Sequence, residues 1–333
     1  MNVIAQTHRP WWSLYHGDCT EVTSALPDCS VDYSIFSPPF SSLYTYSNSI
    51  RDYGNTTGDV EFSAHFAFLV RELFRIVKPG RLVSVHCMAL PTTKTREGYI
   101  GLRDFPALLT DAFIRAGFIF HSNCVIWKDP VTAMQRTKAL GLLHKQLKKD
   151  SCMSRQGIND ELLAFRKPGE NAHPVVNTDV TFPVTEWQRI ASPVWTDINA
   201  TETLQYRSAR EDDDEKHVCP IQLEVVRRGV RLYSNPGDVV FSPFAGIGSE
   251  PYVAVEMGRR GLGVELKRSY YELAVRNMMS VEPGAKLKQV SLFGDLPAAP
   301  PARMAPQKSD GVCSDCSESG PVGKCAICGG SVS

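Results

Sequence analysis

The chain lacks features that would assign it to a membrane or to a strongly charged partner from composition alone. No apolar run approaches the roughly 20 residues that a membrane-spanning helix needs, and the first residues do not form a signal peptide. The 36 basic and 36 acidic residues cancel to a formal net charge of zero. We therefore expect a cytoplasmic protein without membrane contact, in which any nucleic-acid surface comes from local clusters of Lys and Arg.

Cysteine is not scarce, but its distribution excludes a disulfide scaffold. Six of the ten cysteines are scattered singly, and we interpret them as reduced core thiols: Cys19, Cys29, Cys87, Cys124, Cys152 and Cys219. The other four form two C-x-x-C pairs with eight residues between them: Cys313, Cys316, Cys325 and Cys328. Two such knuckles can supply four thiolates to a tetrahedral Zn²⁺, so we predict a structural zinc site in this tail.

Strand and helix patterns alternate on both sides of a central region. Before it, the apolar patterns predict strands over 31–36, 81–87 and 118–127 and helices over 62–77 and 105–116, the first helix ending at Lys78-Pro79-Gly80. After it, they predict helices over 221–233, 251–257 and 270–279 and strands over 238–241 and 261–265. This alternation predicts an α/β domain with a mostly parallel sheet covered by helices on both faces.

The chain divides into five parts. The region 130–215 contains basic clusters, loops and one isolated strand at Glu161–Phe165, as expected of an insertion that recognises a target. It separates a first half of the main domain, 1–129, from a second half, 216–294. A Pro- and Ala-rich linker, 295–310, then connects the main domain to the cysteine-rich tail, 311–333.

A glycine-rich turn lies between a predicted strand and helix, in the sequence Phe241-Ser-Pro-Phe-Ala-Gly-Ile-Gly-Ser249. Gly246 and Gly248 let the backbone approach a ligand, and Glu265, 19 residues after Gly246, ends the next strand, where a carboxylate can bind ribose hydroxyls. Pro251 stands where a dinucleotide motif needs its third glycine, which disfavours a pyrophosphate site. The turn therefore indicates a nucleoside cofactor, the alternative being a glycine turn with a structural role only.

The tetrapeptide Ser37-Pro38-Pro39-Phe40 ends the first predicted strand. An exocyclic base amine is a poor nucleophile, because its lone pair is delocalised into the ring. The Ser37 hydroxyl and the Pro38 carbonyl could accept hydrogen bonds from the amine and localise that lone pair, with the prolines fixing the carbonyl direction. Phe40 could stack on a base rotated out of a duplex. The alternative is a proline turn that only ends a strand.

Together, Ser37–Phe40 and Pro243–Gly248 resemble the motifs of the DNA amino-methyltransferases, which methylate N4 of cytosine or N6 of adenine. The resemblance spans about residues 13–280. It implies a Rossmann-like, AdoMet-dependent methyltransferase fold. Because the catalytic motif precedes the cofactor motif, it also implies the circularly permuted order of the family's β group. We expect double-stranded DNA as the partner, with a restriction endonuclease as a further counterpart.

The resemblance also implies roles for individual residues. Ser37, Pro38, Pro39 and Phe40 would be catalytic, and the cofactor would be held by Asp18, Ser242, Phe244, Gly246, Gly248, Glu265, His217 and Gln222. Asp18 would approach the adenine, and His217 and Gln222 the methionine end. The family usually has Asp where this chain has Ser242. Ser at position 37 is commoner among the N4-cytosine enzymes, so we favour cytosine, with N6-adenine as the alternative.

A basic cluster in the 130–215 region is the predicted DNA contact: Arg136, Lys138, Lys145, Lys148, Lys149 and Arg155. Such residues can neutralise phosphates, although charge runs also form ordinary solvated surfaces. Three other functions stay open: an RNA methyltransferase, a protein-glutamine methyltransferase, and a DNA-binding module that keeps a catalytically impaired methyltransferase fold. The last is motivated by Ser242 and by the cysteine tail.

Overall fold

The fold comes from a computed structural model, which describes residues 3–40, 53–56, 58–132, 143–205 and 220–287, together with four short strands between 310 and 332. Its contacts divide the chain into two compact units, 1–290 and 291–333. Among the described residues, no helix combines the length and apolarity needed to cross a membrane.

The first half of the large unit alternates strands and helices, with a small hairpin after the fourth strand. In chain order its elements are β1 Ala5–Arg9, β2 Trp12–His16, α1 Cys19–Ser24, β3 Val31–Phe36, α2 Asp59–Ile76, β4 Val77–Cys87, β5 Leu90–Pro91, α3 Lys94–Glu97, β6 Leu102–Arg103, α4 Phe105–Arg115 and β7 Ile119–Ile126.

The second half continues the alternation after a stretch of short elements. Its elements are α5 His144–Lys149, β8 Asp160–Arg166, α6 Val184–Ile190, β9 Val194–Trp195, α7 Leu223–Tyr233, β10 Val239–Ser242, α8 Ser249–Glu256, β11 Arg260–Glu265 and α9 Arg268–Ser280. In the small unit, two antiparallel pairs are formed by β12 Asp310–Val312 with β13 Ser319–Pro321, and by β14 Gly323–Lys324 with β15 Ser331–Val332.

Nine strands form one mixed sheet in the order β1-β2-β11-β10-β3-β4-β8-β7-β9. The five strands from β2 to β4 are parallel to one another, whereas β1 and β8 run antiparallel to their neighbours. The α/β prediction is thus confirmed. The prediction of an isolated strand at Glu161–Phe165 is wrong, because this segment is β8 and pairs with both β4 and β7.

Most strands of the sheet end at the same edge, here called the carboxyl edge. Strands β2, β11, β10, β3 and β4 all end there. Because β8 is antiparallel to both β4 and β7, β7 also ends at this edge and β8 begins there. The chain therefore leaves the sheet at the end of β7 and enters it again at the start of β8, both at the carboxyl edge.

Helices cover both faces of the sheet. On one face, α2 and α4 bury an aromatic cluster in which Phe113 stacks on Phe165 of β8 at 4.2 Å between ring centroids. On the other face, α7 packs against β3. A Cβ at Gly229 of α7 would lie 2.5 Å from the Tyr33 hydroxyl and 2.9 Å from Ile35 Cδ1. Glycine at this position therefore lets the helix approach the sheet closely.

Local details differ from the predictions in three places. Lys78-Pro79-Gly80 does not separate α2 from the next strand, because β4 begins at Val77 and the Gly80 N–H donates to the Lys167 carbonyl beyond β8. Strands β1 and β2 were not predicted. Cys19 and Cys87 are buried, but Cys29 and Cys152 are exposed, so the assignment of these two thiols to the core is wrong.

Candidate functional site

The predicted catalytic turn begins directly after β3, at the carboxyl edge. The Ser37 hydroxyl donates a hydrogen bond of 3.1 Å to the carbonyl oxygen of His86, near the end of the neighbouring strand β4. This bond commits the hydroxyl proton to the backbone. The lone pairs of Ser37 Oγ therefore stay available as hydrogen-bond acceptors.

Phe40 is half-buried at the same edge. Its ring packs against the aromatic cluster and meets Phe105 of α4 edge-to-face, with 6.1 Å between ring centroids. The core thus supports the ring, while part of its surface stays accessible. This is the arrangement needed if a planar group is to stack on it.

The glycine turn follows β10, which is the neighbour of β3 in the sheet. Gly246 has φ +52° and Gly248 has φ +91°, a region that side chains with a Cβ rarely adopt. A Cβ at Gly246 would have no neighbour within 4 Å, so there is open space in front of this backbone. The Gly248 N–H closes the turn on the Ala245 carbonyl at 2.7 Å.

Glu265, at the end of β11, holds the glycine turn in place. One carboxylate oxygen accepts from the Gly246 N–H at 2.9 Å, and the other accepts from the Lys267 N–H at 2.8 Å. The Gly17 N–H donates to the Glu265 carbonyl at 3.0 Å and so joins the end of β2 to this strand. The two features that lie 19 residues apart in the sequence are in direct contact.

Three more predicted cofactor residues lie around the turn. Asp18 caps helix α1 by accepting from the Glu21 N–H at 2.9 Å. Phe244 lies between Phe36 and Tyr53, with 5.7 and 5.6 Å between ring centroids. Ser242 ends β10 and is fully buried.

Two buried polar atoms stand out at this edge. Ser242 Oγ and Gln222 Oε1 are inaccessible to solvent and have no hydrogen-bond partner among the described residues. Buried polar groups are nearly always hydrogen-bonded, and each exception needs an explanation. Both residues belong to the predicted cofactor set.

Sequence reasoning missed a buried ionic group next to the catalytic turn. The Asp160 carboxylate lies 2.5 Å from Lys128 Nζ and 3.3 Å from His86 Nε2. Burial acts to raise the pKa of Asp160, but His86 and Lys128 outweigh it and hold the pKa below its usual value. Lys128 and Asp160 lie at the two ends of the segment between β7 and β8, here called the excursion. The only signal in the sequence was a charged residue at each strand end.

Glu250, in the first turn of α8, was equally hard to anticipate from the sequence. This side chain is only 3% exposed. Burial, with a smaller contribution from Glu265, raises its pKa from 4.5 to about 8. Acidic residues are common in the first turn of a helix, and the sequence therefore suggested an ordinary surface position.

The predicted DNA-contacting residues fall into two groups. Lys145, Lys148 and Lys149 of α5 are exposed, and Arg155 is partly buried, which lowers its pKa. Other predicted functional residues lie outside the described residues: Arg136, Lys138, His217, Cys313, Cys316, Cys325 and Cys328.

The predicted recognition region is not uniform. Its strands β8 and β9 belong to the main sheet, and Trp195 of β9 packs beneath Arg228 of α7. Ion pairs attach the stretch from α6 onward to the same helix, namely Arg228 with Asp197, Arg231 with Glu186 and Arg227 with Glu202. Of the described residues, those between β7 and β8 extend from the carboxyl edge without entering the sheet.

A glycine turn held by an acidic strand end, beside a Ser-Pro-Pro-Phe turn at the same sheet edge, is the arrangement expected of an enzyme with a nucleoside cofactor. The family model described as DNA methylase, of the N6 and N4 type, matches residues 31–276. The chain belongs to this family and is an AdoMet-dependent DNA amino-methyltransferase.

Curated relatives agree with this assignment. The type II methyltransferase M.BglII of Bacillus subtilis is 21% identical over 272 residues, which cover 81% of this chain and 69% of the relative. The DNA adenine methyltransferase YhdJ of Escherichia coli K12 is 32% identical over 83 residues, or 23% of this chain and 28% of the relative.

Solved structures share the architecture. TTHA0409 from Thermus thermophilus, assigned to the DNA modification methylases, is 26% identical with a TM-score of 0.59, covering 83% of this chain and 96% of that one. The cytosine-N4-specific PvuII DNA methyltransferase has a TM-score of 0.60 at 17% identity, covering 88% and 96%, and at this identity shows the fold alone. A further structure of TTHA0409 is a complex with S-adenosyl-L-methionine.

Proposed function

We propose that this enzyme transfers the methyl group of AdoMet to the exocyclic amine of a base flipped out of double-stranded DNA, with N4 of cytosine as the favoured target. The observation that carries the proposal is the hydrogen bond from the Ser37 hydroxyl to the His86 carbonyl. With its proton engaged there, Ser37 Oγ can only accept a hydrogen bond from the amine. The Pro38 carbonyl is the second acceptor in the same turn.

The chemical role of the turn follows from the amine. Two acceptors on its hydrogens draw the nitrogen towards tetrahedral geometry and localise its lone pair, which raises its nucleophilicity. Phe40 supports the flipped base by stacking, and this offsets part of the few kcal/mol that unstacking costs. When bound, AdoMet supplies an electrophilic methyl group. Transfer of that methyl group to the amine nitrogen would release S-adenosylhomocysteine, and the amine would give up one proton to solvent.

The residues around the glycine turn are suited to AdoMet. Glu265 would bind the ribose hydroxyls, and Asp18 would approach the adenine. Ser242 and Gln222 carry the two buried oxygens that lack partners, and a cationic ammonium at the methionine end would satisfy them. The open space at Gly246 lets the ligand meet the backbone of the glycine turn. The order of catalytic turn before glycine turn is that of a circularly permuted methyltransferase fold.

We assign DNA binding to the excursion between β7 and β8. It starts and ends at the carboxyl edge, where Ser37 lies, so a duplex held there would have a base within reach of the catalytic turn. Its helix α5 exposes three lysines to solvent. Arg136 and Lys138 belong to the same excursion by sequence.

The target base is the finer part of the proposal. Ser37 at the head of the tetrapeptide favours cytosine, and the chain shares its fold with a cytosine-N4-specific enzyme. Adenine N6 is the second candidate, because a stretch of the chain is 32% identical to a DNA adenine methyltransferase. The names of the type II relatives make a restriction endonuclease counterpart part of the proposal.

One experiment tests activity and target together. The purified protein is incubated with AdoMet carrying an isotopically labelled methyl group and with unmodified plasmid, and the digested nucleosides are analysed by mass spectrometry. Labelled N4-methylcytosine is the expected product, and S37A should form much less of it. Labelled N6-methyladenine would reverse the base assignment, while AdoMet binding without any labelled nucleoside would favour the catalytically impaired DNA-binding module.

A further inference from the structure

Asp160 carries a buried carboxylate that the proposed chemistry does not use. Its side chain is only 3% exposed and lies 2.5 Å from Lys128 Nζ and 3.3 Å from His86 Nε2. Removing such charges from water is costly, and apolar side chains of similar size are often as stable in the same place. The ion pair is therefore better explained by what it holds in position than by stability alone.

The ion pair lies where the excursion leaves the sheet and enters it again. Asp160 is the first residue of β8 and the register partner of Ile126, the last residue of β7. Lys128 comes two residues after β7, directly behind Trp127, whose N–H donates to a carbonyl of β9 at 2.9 Å. The chain outside the sheet thus begins and ends beside two residues that are in ionic contact. Their contact holds both ends of the excursion together at the carboxyl edge.

The same carboxylate also contacts the strand that holds the catalytic turn. His86 belongs to β4, and its carbonyl accepts the hydrogen bond from the Ser37 hydroxyl. His86 is the register partner of Leu162 in β8, so the imidazole and the Asp160 carboxylate come from adjacent strands. A continuous set of contacts therefore connects Lys128 with Ser37 through two residues of the sheet.

We propose that Lys128 and Asp160 are positioning residues, whose ion pair fixes the base of the DNA-binding excursion relative to Ser37. This inference rests on the proposed function for its effect on DNA. Its structural part, the fixing of the two strand ends, does not depend on methyl transfer. Lys128 does not bind a phosphate in this scheme, because its ammonium already pairs with Asp160.

A second ion pair of the same kind provides a matched control. Lys78 Nζ lies 2.6 Å from the carboxylate of Asp32, with side chains 33% and 5% exposed, against 32% and 3% for Lys128 and Asp160. Each carboxylate has one further basic side chain nearby, at 3.9 Å from Asp32 and 3.3 Å from Asp160. Lys78 and Asp32 lie near the starts of β4 and β3, at the opposite edge of the sheet.

Hydrogen exchange tests the structural part without DNA or AdoMet. The N–H groups of Val125 and Trp127 donate to carbonyls beside and within β9 at 2.8 and 2.9 Å. K128Q should speed exchange in peptides that cover 122–128 and 160–166 by roughly tenfold, the scale of one lost hydrogen bond between charged groups. K128R should restore slow exchange, since a guanidinium also pairs with a carboxylate. K78Q should leave these peptides unchanged.

The double variant K128Q/D160N guards against a failure of K128Q to fold. It removes both charges and leaves no unpaired carboxylate in the interior, while keeping side chains of similar size. It should show the same faster exchange at the two strand ends as K128Q. Exchange that is equal to wild type in both variants would overturn the proposal, and so would equal acceleration of these peptides in K78Q.

DNA binding and kinetics test the consequence for the reaction. K128Q should raise the DNA concentration needed for half the maximal single-turnover rate by roughly tenfold, while calorimetry with AdoMet alone gives the wild-type affinity. K128R should recover most of this loss, and K78Q should behave as the wild type. The slope of log K for DNA against log salt should stay unchanged in K128Q.

Three results would contradict the positioning role. A slope that falls by about 0.9 in K128Q would make Lys128 a phosphate contact instead. A parallel loss of AdoMet affinity, or an equal loss of activity in K78Q, would assign the ion pair to general stability. If the wild type itself methylates no DNA, the proposed function fails, whereas the exchange experiment still decides whether the ion pair fixes the strand ends.

Discussion

The hydroxyl proton of Ser37 is held in a hydrogen bond to the His86 carbonyl, unlike that of a serine in solution. Without the His86 carbonyl, the hydroxyl could rotate and present either a donor or an acceptor to an incoming amine. With the bond of 3.1 Å formed, only acceptance is compatible with the observed geometry. Under the proposed function, Ser37 would therefore present a neutral hydroxyl oxygen to the amine as an acceptor.

Phe40 provides the first prediction at this scale. Replacing Phe40 with Ala removes the surface on which the flipped base would stack, a contact worth about 1–3 kcal/mol. Methylation of duplex DNA should fall by roughly one order of magnitude, with little change in AdoMet affinity, as measured by single-turnover kinetics and calorimetry. Phe40→Trp, which keeps a stacking surface, should retain much more activity.

A mismatch opposite the target base sharpens this test. Flipping a mismatched base costs less than flipping a paired one, so the mismatch should return part of the activity lost in Phe40→Ala. Full activity of Phe40→Ala on matched duplex would refute the stacking role. Because Phe40 also packs on the core, the melting temperature of Phe40→Ala must be compared with that of Phe40→Trp before the loss is assigned to stacking.

Glu250 supports a prediction about stability and pH. Its pKa is about 8 in the folded protein, against an ordinary value of 4.5. Between these values the folded state holds a proton that the unfolded chain has lost. Stability should therefore fall as pH rises through this window, by up to about 1.4 kcal/mol per pH unit, and level off above pH 8.

The substitution E250Q removes this ionisation in both states. Denaturant unfolding of the two proteins between pH 5 and pH 9 should therefore show the E250Q variant gaining stability relative to wild type as the pH rises. A constant difference across the range would mean that the Glu250 carboxyl has an ordinary pKa in the folded protein.

Among the elements, α5 offers the clearest test of the DNA path. Lys145 and Lys148 lie three residues apart, on one face of this exposed helix. Since each phosphate contact contributes about 0.9 to the salt dependence of binding, changing both lysines to Gln should reduce the slope of log K against log salt by about 1.8. Fluorescence anisotropy at several salt concentrations measures this slope.

The control for this experiment lies at the opposite edge of the sheet. Arg71 of α2 and Arg115 of α4 are exposed and belong to helices that end where β4 and β7 begin. The double variant R71Q/R115Q loses the same charge and should keep the wild-type slope. An equal effect in both double variants would indicate a general charge effect and place the DNA path elsewhere.

The elements also explain what sequence alone could predict. Strands β3, β10 and β11 are short apolar runs bounded by turn residues, and the two functional turns are continuous motifs, so local sequence was enough to find them. The place of β8 was not predictable in this way, because it depends on pairing Glu161 with Cys87, 74 positions earlier in the chain. Because a long segment outside the sheet precedes β8, this core strand looked like part of an insertion in the sequence.

Buried acidic residues are the other feature that local sequence did not reveal. Asp160 and Glu250 look like surface residues in the sequence, one beside a loop and one at a helix start. Each is buried by elements far away in the chain, with Asp160 held by His86 and Lys128. Burial of this kind follows from tertiary packing, and no periodicity within the segment indicates it.

At the scale of the whole molecule, the chain combines a methyltransferase unit with a small C-terminal unit. In the small unit, Cys313 and Cys316 fall between the paired strands β12 and β13, and Cys325 and Cys328 fall between β14 and β15. The four cysteines themselves lie outside the described residues, so the zinc site stays a prediction from their spacing in the sequence. Two C-x-x-C pairs can supply four thiolates to a tetrahedral Zn²⁺, which is the site that we predict for this tail.

The last prediction concerns this tail. A segment so short has little apolar surface with which to fold by itself, so its folding should depend on the metal. Purified protein should contain one Zn²⁺ per chain, measured by mass spectrometry of the metal, and changing Cys313 and Cys316 to Ser should abolish it. The predicted catalytic and cofactor residues all precede the tail. A chain ending at Asp295 should therefore keep AdoMet binding and single-turnover chemistry, while its DNA affinity falls if the tail contacts the duplex. The metal site would be refuted if the protein carried only traces of zinc and all four cysteines were open to alkylation. If the truncated chain had a lowered melting temperature, the tail would instead be a stabilising part of the enzyme.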